Sequence, residues 1–210
     1  RRRLERARNQ AYTDIRHDVP AHFGAIEENL HQALRPIPRA KTGSYATVTA
    51  GLLVDYGARL GKKLARIRSI ADQDSIHAAR IAGKRLRYVL EPLAAELSGA
   101  KRTVESLKTF QDRFGLLCDD FARARALWHA AETLGAEQAR AALERASGAR
   151  VEAPDSLASL LPGLAALARR VEREAARRHA AIERRYLGDA GTFLKPVSIL
   201  AHRLGVVAQL

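Results

Sequence analysis

The sequence predicts an all-α helical bundle, and three observations carry that expectation. Of 210 residues, 47% are apolar and only 5% aromatic, with alanine, leucine, arginine and glutamate dominant, a composition that favours helix over sheet. Apolar residues recur at three- and four-residue intervals through most of the chain. No stretch alternates apolar and polar residues between turn signals as a strand does. Helices with one apolar stripe each must bury those stripes against one another, which makes a bundle.

Residues 1–34 read as helix, with Leu4, Ala7, Ala11 and Ile15 on one face. Pro20 is expected to end or kink that helix, and a second segment continues through Phe23, Ile26, Leu30 and Leu34. Pro36 and Pro38 force an extended break, which Lys41-Thr42-Gly43-Ser44 continues as a loop. Helix resumes near Thr49 and runs to about Ile70 on the stripe Leu53, Tyr56, Leu60, Leu64 and Ile67. Asp72, Asp74 and Ser75 are N-cap candidates for the next helix. That helix runs to about Leu97, with Ala78, Ala82, Leu86, Val89 and Leu93 as its apolar stripe, a kink near Leu90 imposed by Pro92, and a stop near Ser98-Gly99. A helix over 101–117 follows. Asp119 or Asp120 is expected to cap a further one through Trp128 and Leu134, which Gly135 separates from a short piece over 137–146. Residues 147–154 read as a connector. Asp155 to Tyr186 is the last long helix, interrupted at Pro162-Gly163, with Leu164, Leu167, Val171 and Ile182 turned towards a core. Residues 193–210 read as an apolar tail of weak helical character.

The net charge is +13, which points to a polyanionic partner or an acidic surface; the plainer alternative is a set of solvated arginine faces. Positive charge exceeds negative by eight over residues 1–70, by two over 71–150 and by three over 151–210. The single cysteine, Cys118, excludes an intramolecular disulfide and suits a reducing cytoplasm. No apolar run approaches the ~20 residues of a membrane span, and no signal-type segment follows the arginine-rich start. The chain is expected to be soluble and intracellular.

Against the nearly neutral middle of the chain, one stretch stands out: His77-Ala78-Ala79-Arg80-Ile81-Ala82-Gly83-Lys84-Arg85-Leu86-Arg87-Tyr88. At ~100° per residue, His77, Arg80, Lys84, Arg87 and Tyr88 fall within about one 100° sector. Arginines and lysines at these spacings repel one another unless an anion lies among them. Two further basic rows recur at helical spacing, Arg59, Lys62, Lys63 and Arg66, and then Arg170, Arg173, Arg177 and Arg184. Three such rows on helices of one bundle can line a common groove. Arginine offers a planar fork to phosphate oxygens and lysine a mobile point charge, a mixture that suits a flexible phosphate chain. Reading of bases would ask for aromatic platforms among the charges, and only Tyr56 and Tyr88 lie near the rows.

Enzymatic chemistry finds little support. Glu91 and Glu96 lie near the helix that carries this stretch, where a pair of carboxylates more often forms ion pairs than catalyses. His77 has no second ligand at +3 or +4, which leaves only a site assembled at long range from His17, His22, His31, His77, His129, His179 or His202. The segment Gly57-Ala58-Arg59-Leu60-Gly61 lacks the preceding strand and following Lys-Ser/Thr of a nucleotide loop. No metal or cofactor is expected.

Taken together, His77-x-x-Arg80-x-x-x-Lys84-Arg85-Leu86-Arg87-Tyr88-x-x-Glu91 resembles the second signature of the CHAD domain, the conserved histidine α-helical domain. The segment Leu107-Lys108-Thr109-Phe110-Gln111-Asp112-Arg113-Phe114-Gly115-Leu116-Leu117-Cys118-Asp119 is similar to that family's following helix, of the form LxxLQxxLGxxxD. The arginine-rich final helix with Tyr186 and Phe193 is similar to its closing segment. This resemblance spans residues ~50–195. It implies two pseudo-symmetric helical bundles with a basic channel between them, and binding of inorganic polyphosphate there without catalysis. By motif position it implies that His77, Arg80, Lys84, Arg85 and Arg87 face phosphate and Tyr88 lines the site; Arg59, Lys63 and Arg66, and Arg170, Arg173 and Arg177, sit where the family is also basic. The family's first signature has no counterpart in the N-terminal part. A single domain over 1–195 is therefore expected to hold a remnant of the N-terminal bundle (1–48), with uncovered apolar surface, and a C-terminal bundle (49–195), followed by the tail 196–210. Inorganic polyphosphate is the expected partner, in the cytoplasm or at polyphosphate granules and with no membrane. A nucleic-acid-binding protein is the alternative, and a phosphohydrolase a more distant one.

Overall fold

The computed structural model describes residues 2–34, 45–148 and 160–207. The chain divides into two compact units, Arg1–Gly43 and Ser44–Leu210. All regular structure among the described residues is helical, so the all-α architecture expected from the sequence holds.

The first unit contributes one helix, α1 (Arg2–Leu34), which runs unbroken through Pro20. The break expected at Pro20 does not occur. Proline removes one hydrogen-bond donor and crowds the preceding turn, but the described side chains of this helix are all exposed, so the carbonyl it frees is open to solvent and the helix can continue. Tyr12, Ile15, Val19, Phe23, Ile26 and Leu30 form an exposed apolar stripe along it. Only one bundle of the expected pair is present among the described residues.

That bundle lies in the second unit and consists of α2 (Tyr45–Leu64), α3 (Gln73–Leu90), α4 (Ala100–Ala146), α5 (Leu160–Ile182) and α6 (Ala190–Val207). α2 packs between α6 and α3, α3 between α2 and α4, and α4 between α3 and α5. The core is built from the three- and four-residue repeats of these helices, among them Leu53, Leu60, Leu86, Leu90, Leu107 and Leu117, closed by Phe110, Phe114 and Tyr186. The segment after Pro196 contributes to it as well: Val197, Leu200, Ala201 and Leu204 are buried. The expected tail is therefore a structural helix, and Gly57 and Gly61 on α2 leave the room into which Val197 and Leu194 of α6 fit.

Several boundaries differ from the sequence expectation for identifiable reasons. α2 stops at Leu64, six residues early, and a turn carries the chain to α3. Asp72 occupies the N-cap position of α3 without capping it; its carboxylate turns back to accept hydrogen bonds from the backbone N–H of Arg68 (2.7 Å) and Ser69 (2.9 Å). Pro92 ends α3 where a kink was expected: a 3₁₀ turn, Glu91–Leu93, follows directly, and Gly99, at φ +90°, leads into α4 in a conformation that glycine adopts freely. α4 is continuous for 47 residues. Asp119 and Asp120 cap nothing, and Gly135, with open space around it, is absorbed into the helix. A π-helical turn, Glu183–Leu187, extends α5. The expected loop at 36–44, the connector beyond Gly148 and the helix start at Asp155 lie outside the described residues.

Two of these local devices should titrate. Thr192 donates its side-chain O–H and its backbone N–H to Asp189, which caps α6. Those bonds, side chain first, hold the Asp189 carboxyl below the usual carboxylate range, and the backbone bonds from Arg68 and Ser69 do the same for Asp72. A lowered folded-state pKa means that each contribution is present above the ordinary carboxylate pKa and is lost as pH falls through the lowered value. Carboxyl NMR titration is expected to show both groups with midpoints below those of exposed aspartates, and the amide protection factors of Arg68, Ser69 and Thr192, corrected for the intrinsic exchange rate, are expected to fall on acidification. Ordinary midpoints at both sites would refute the assignment.

Candidate functional site

The signature helix α3 turns a different face inward from the one the apolar pattern suggested. Ile76, Ala79, Gly83, Leu86 and Leu90 are buried, while Ala78, Ala82 and Val89 are only partly so. The stripe is rotated by roughly 80°, because Gly83 admits the Phe110 ring: a Cβ there would stand 2.5 Å from Phe110 Cε1. The rotation has a consequence for the basic row. Arg80 and Arg87 move to the flank where α3 meets α4, and Lys84, His77 and Tyr88 remain on the exposed face.

Arg80 lies over Gly115 of α4; a Cβ at Gly115 would stand 3.4 Å from the Arg80 Nε, so the missing side chain is what makes room for the guanidinium. Arg87 pairs with Glu91 one turn on, its side chain only 19% exposed. The Nε atoms of Arg80 and Arg87 are both buried without a hydrogen-bond partner. A buried donor left unmade is unfavourable by roughly 1–3 kcal/mol. Tyr88, half exposed, gathers the cations around it, with Arg87 Cζ 4.7 Å and Lys84 Nζ 5.5 Å from its ring centre. Nearby, burial pushes the Cys118 thiol up, and the adjacent Arg80 charge offsets this in part.

The other predicted residues fall into two further groups. Arg59 and Lys63 of α2 meet Arg85 of α3 around a cavity of about 380 Å³, with Tyr56 in its wall and Arg59 Cζ 5.4 Å from the Tyr56 ring centre. Arg85 thus faces α2, on the opposite flank of α3 from Arg80 and Arg87. Arg170, Arg173 and Arg177 of α5 line a second cavity, of about 440 Å³, between α4 and α5. Arg66 is exposed in the turn after α2 and joins neither cavity. Arg184 lies in the π-helical turn, where the extra residue per turn breaks the α-helical register. α5 buries Ala168, Ala175, His179 and Ile182; Leu167, expected in the core, is exposed and lines the α4–α5 cavity. The single groove expected from the three rows is, in the bundle, three basic patches on successive helices.

Sequence reasoning missed the carboxylates and partners that build the α4–α5 patch. Asp120 is 1% exposed and meets Arg178 Nε at 2.8 Å and Arg123 at 3.2 Å, while Glu174 lies 3.1 Å from Arg178 and 3.5 Å from Arg177. The Asp120–Arg178 approach is an ion pair by distance without the angle of a hydrogen bond. A signal was there to read: Asp120 continues the buried period of Phe110, Phe114 and Leu117. Among the described residues no group of three histidine, cysteine or carboxylate side chains converges as metal ligands, and no helix is long and apolar enough to cross a membrane.

The profile of the CHAD domain matches residues 1–127, more than half of the chain. The match takes in α1, α2, the signature helix α3 and the part of α4 that holds Phe110, Gly115 and Asp120; the similarity noted for α5 and the aromatics after it lies beyond the matched residues. No curated protein and no solved structure matches the chain. A helical bundle organised around His77-x-x-Arg80-x-x-x-Lys84-Arg85-Leu86-Arg87, seated by Gly83 and Gly115 on the helix that follows it, is thus accompanied by a family-wide match, and the chain belongs to the CHAD domain family.

Proposed function

We propose that this chain binds inorganic polyphosphate through the basic patches of its bundle and does not transform it. One observation carries most of the weight: Arg80, Lys84 and Arg87 share one side of α3 with the exposed His77, and Lys84 and Arg87 gather at the ring of the half-exposed Tyr88. Phosphate oxygens supply charged acceptors in bulk, and arginine presents its donors in the geometry they fit. The two tyrosines near the patches have arginine or lysine cations over their rings, an arrangement that serves charge better than base stacking. Binding of this kind needs no cofactor and fits a cytoplasmic protein that gathers at polyphosphate granules.

Calorimetric titration with long-chain polyphosphate is the test, run beside single-stranded RNA of equal total charge. With about five phosphate contacts and a single-strand-like salt slope, affinity is expected to fall on the order of 100-fold between ~50 and ~200 mM salt. Binding of RNA as tight as that of polyphosphate would make the protein a general polyanion or nucleic-acid binder. Release of phosphate from the bound chain in the presence of Mg²⁺ or Mn²⁺ would make it a phosphohydrolase.

A further inference from the structure

The α3 and α5 rows look separate when viewed around the bundle, yet they meet when projected along α4. α3 runs antiparallel to α4: Gly83 lies at Phe110, Arg80 at Gly115, and Arg125 donates to Gln73 at 3.2 Å. α5 is antiparallel to α4 as well, with Arg178 at Asp120 (2.8 Å) and Glu172 accepting from Trp128 Nε1 (2.6 Å). These pairings set Arg87 level with Ser106 and His77 level with Asp119. They set Arg177 level with Ala122 and Arg170 level with His129. One row therefore stops about where the other begins, within about three residues or ~5 Å of helix rise.

The circumference of α4 says where the step between them lies. Gly115 carries Arg80 on the α3 side, and Asp120 meets Arg178 on the α5 side. At ~100° per residue, Asp112, Leu116, Asp119 and Arg123 form the ridge between, and all four are exposed. Arg123 reaches from that ridge into the α4–α5 cavity. Asp119 is the carboxylate at the crossing.

Resting on the polyphosphate reading, we infer that the α3 and α5 rows are one continuous track for a single chain. It runs past Arg87, Lys84, Arg80 and His77, crosses the α4 ridge at Asp119 and Arg123, and continues along Arg177, Arg173 and Arg170. Its length is about 35 Å, some 24 residues of α4 at the helical rise. A tripolyphosphate occupies a fraction of that and engages one row; a long chain engages both, and the second row then binds at high effective concentration. The track makes the site a reader of chain length.

The experiment compares tripolyphosphate with long-chain polyphosphate on the wild-type chain, on R170Q/R173Q and on D119N. Both changes replace exposed side chains, and circular dichroism checks the helix content. Wild type is expected to favour the long chain by on the order of 100-fold. R170Q/R173Q should shrink that ratio about tenfold by shortening the track, and D119N should enlarge it by removing the opposing charge at the crossing. A ratio unchanged in R170Q/R173Q overturns the track, and a ratio unchanged in D119N overturns the crossing at Asp119. Failure of the wild-type chain to prefer long polyphosphate over RNA of equal charge is a separate result, which removes the polyphosphate reading itself.

Discussion

Replacing Arg80, Lys84 and Arg87 together by glutamate is expected to abolish polyphosphate binding while the protein stays helical. The three changes reverse the charge along the side of α3 that Arg80, Lys84 and Arg87 share. Each cation contributes about 1 kcal/mol against a phosphate oxygen ~4 Å away in water, and each reversal turns that attraction into repulsion. Allowing for screening, a loss of about 4 kcal/mol corresponds to roughly 1000-fold in affinity. The effect on folding is smaller: a glutamate at position 87 would face Glu91 one turn away, a like-charge pair unfavourable by about 0.2–0.5 kcal/mol, and Lys84 is exposed. The matching glutamines separate lost attraction from added repulsion and should weaken binding about half as much on the free-energy scale. A control triple, Lys101, Arg140 and Arg145 to glutamate, alters net charge equally at exposed positions away from the patches. If the control weakens binding as much as the α3 triple, the patch has no privileged role and bulk charge alone governs binding.

How far the sequence reached depended on which physical signal each feature leaves. Helix content followed from composition and apolar period, and the basic faces of α2, α3 and α5 followed from charge at helical spacing. The inward face of α3 did not. Alanine on either side of Leu86 gives a nearly flat hydrophobic profile around the helix, so Ala78 and Ala82 looked as buriable as Ala79. The deciding contact is Phe110 against the bare backbone at Gly83, which links residues 27 apart in the chain and has no local trace. Helix ends were misplaced because Asp72, Asp119 and Asp120 are the right residue type for a cap, and other partners claimed all but the exposed Asp119. Asp72 holds the preceding turn and Asp120 holds two arginines. The basic residues themselves were found, whereas their division into patches on different flanks depends on helix–helix rotation, which charge spacing within one helix cannot report.

That rotation can be tested through the contact that sets it. Phe110 is fully buried, with ring centres of Phe114, Tyr186 and Phe193 at 4.2, 5.1 and 5.3 Å, and its edge lies on Gly83. Phe110→Ala is expected to destabilise the bundle by about 3–5 kcal/mol, the sum of lost transfer energy and a cavity that three neighbouring rings cannot easily fill. For a chain of this size that lowers Tm by roughly 10–15 °C. Gly83→Ala acts on the other side of the contact. Alanine gains about 1 kcal/mol in helix propensity over glycine, but its Cβ would stand 2.5 and 2.8 Å from two ring carbons. The ring is wedged among others and cannot swing aside, so overpacking of about 1–3 kcal/mol outweighs the gain. In the Phe110→Ala background the clash is gone, and the same Gly83→Ala change should become stabilising. Thermal melts of the four proteins of this double-mutant cycle read the coupling directly. Gly83→Ala that stabilises the wild type, or has the same sign in both backgrounds, would show that the ring does not fix the seat of α3; a reversal of sign would show that the close approach at Gly83 is what turns Arg80 and Arg87 onto α4.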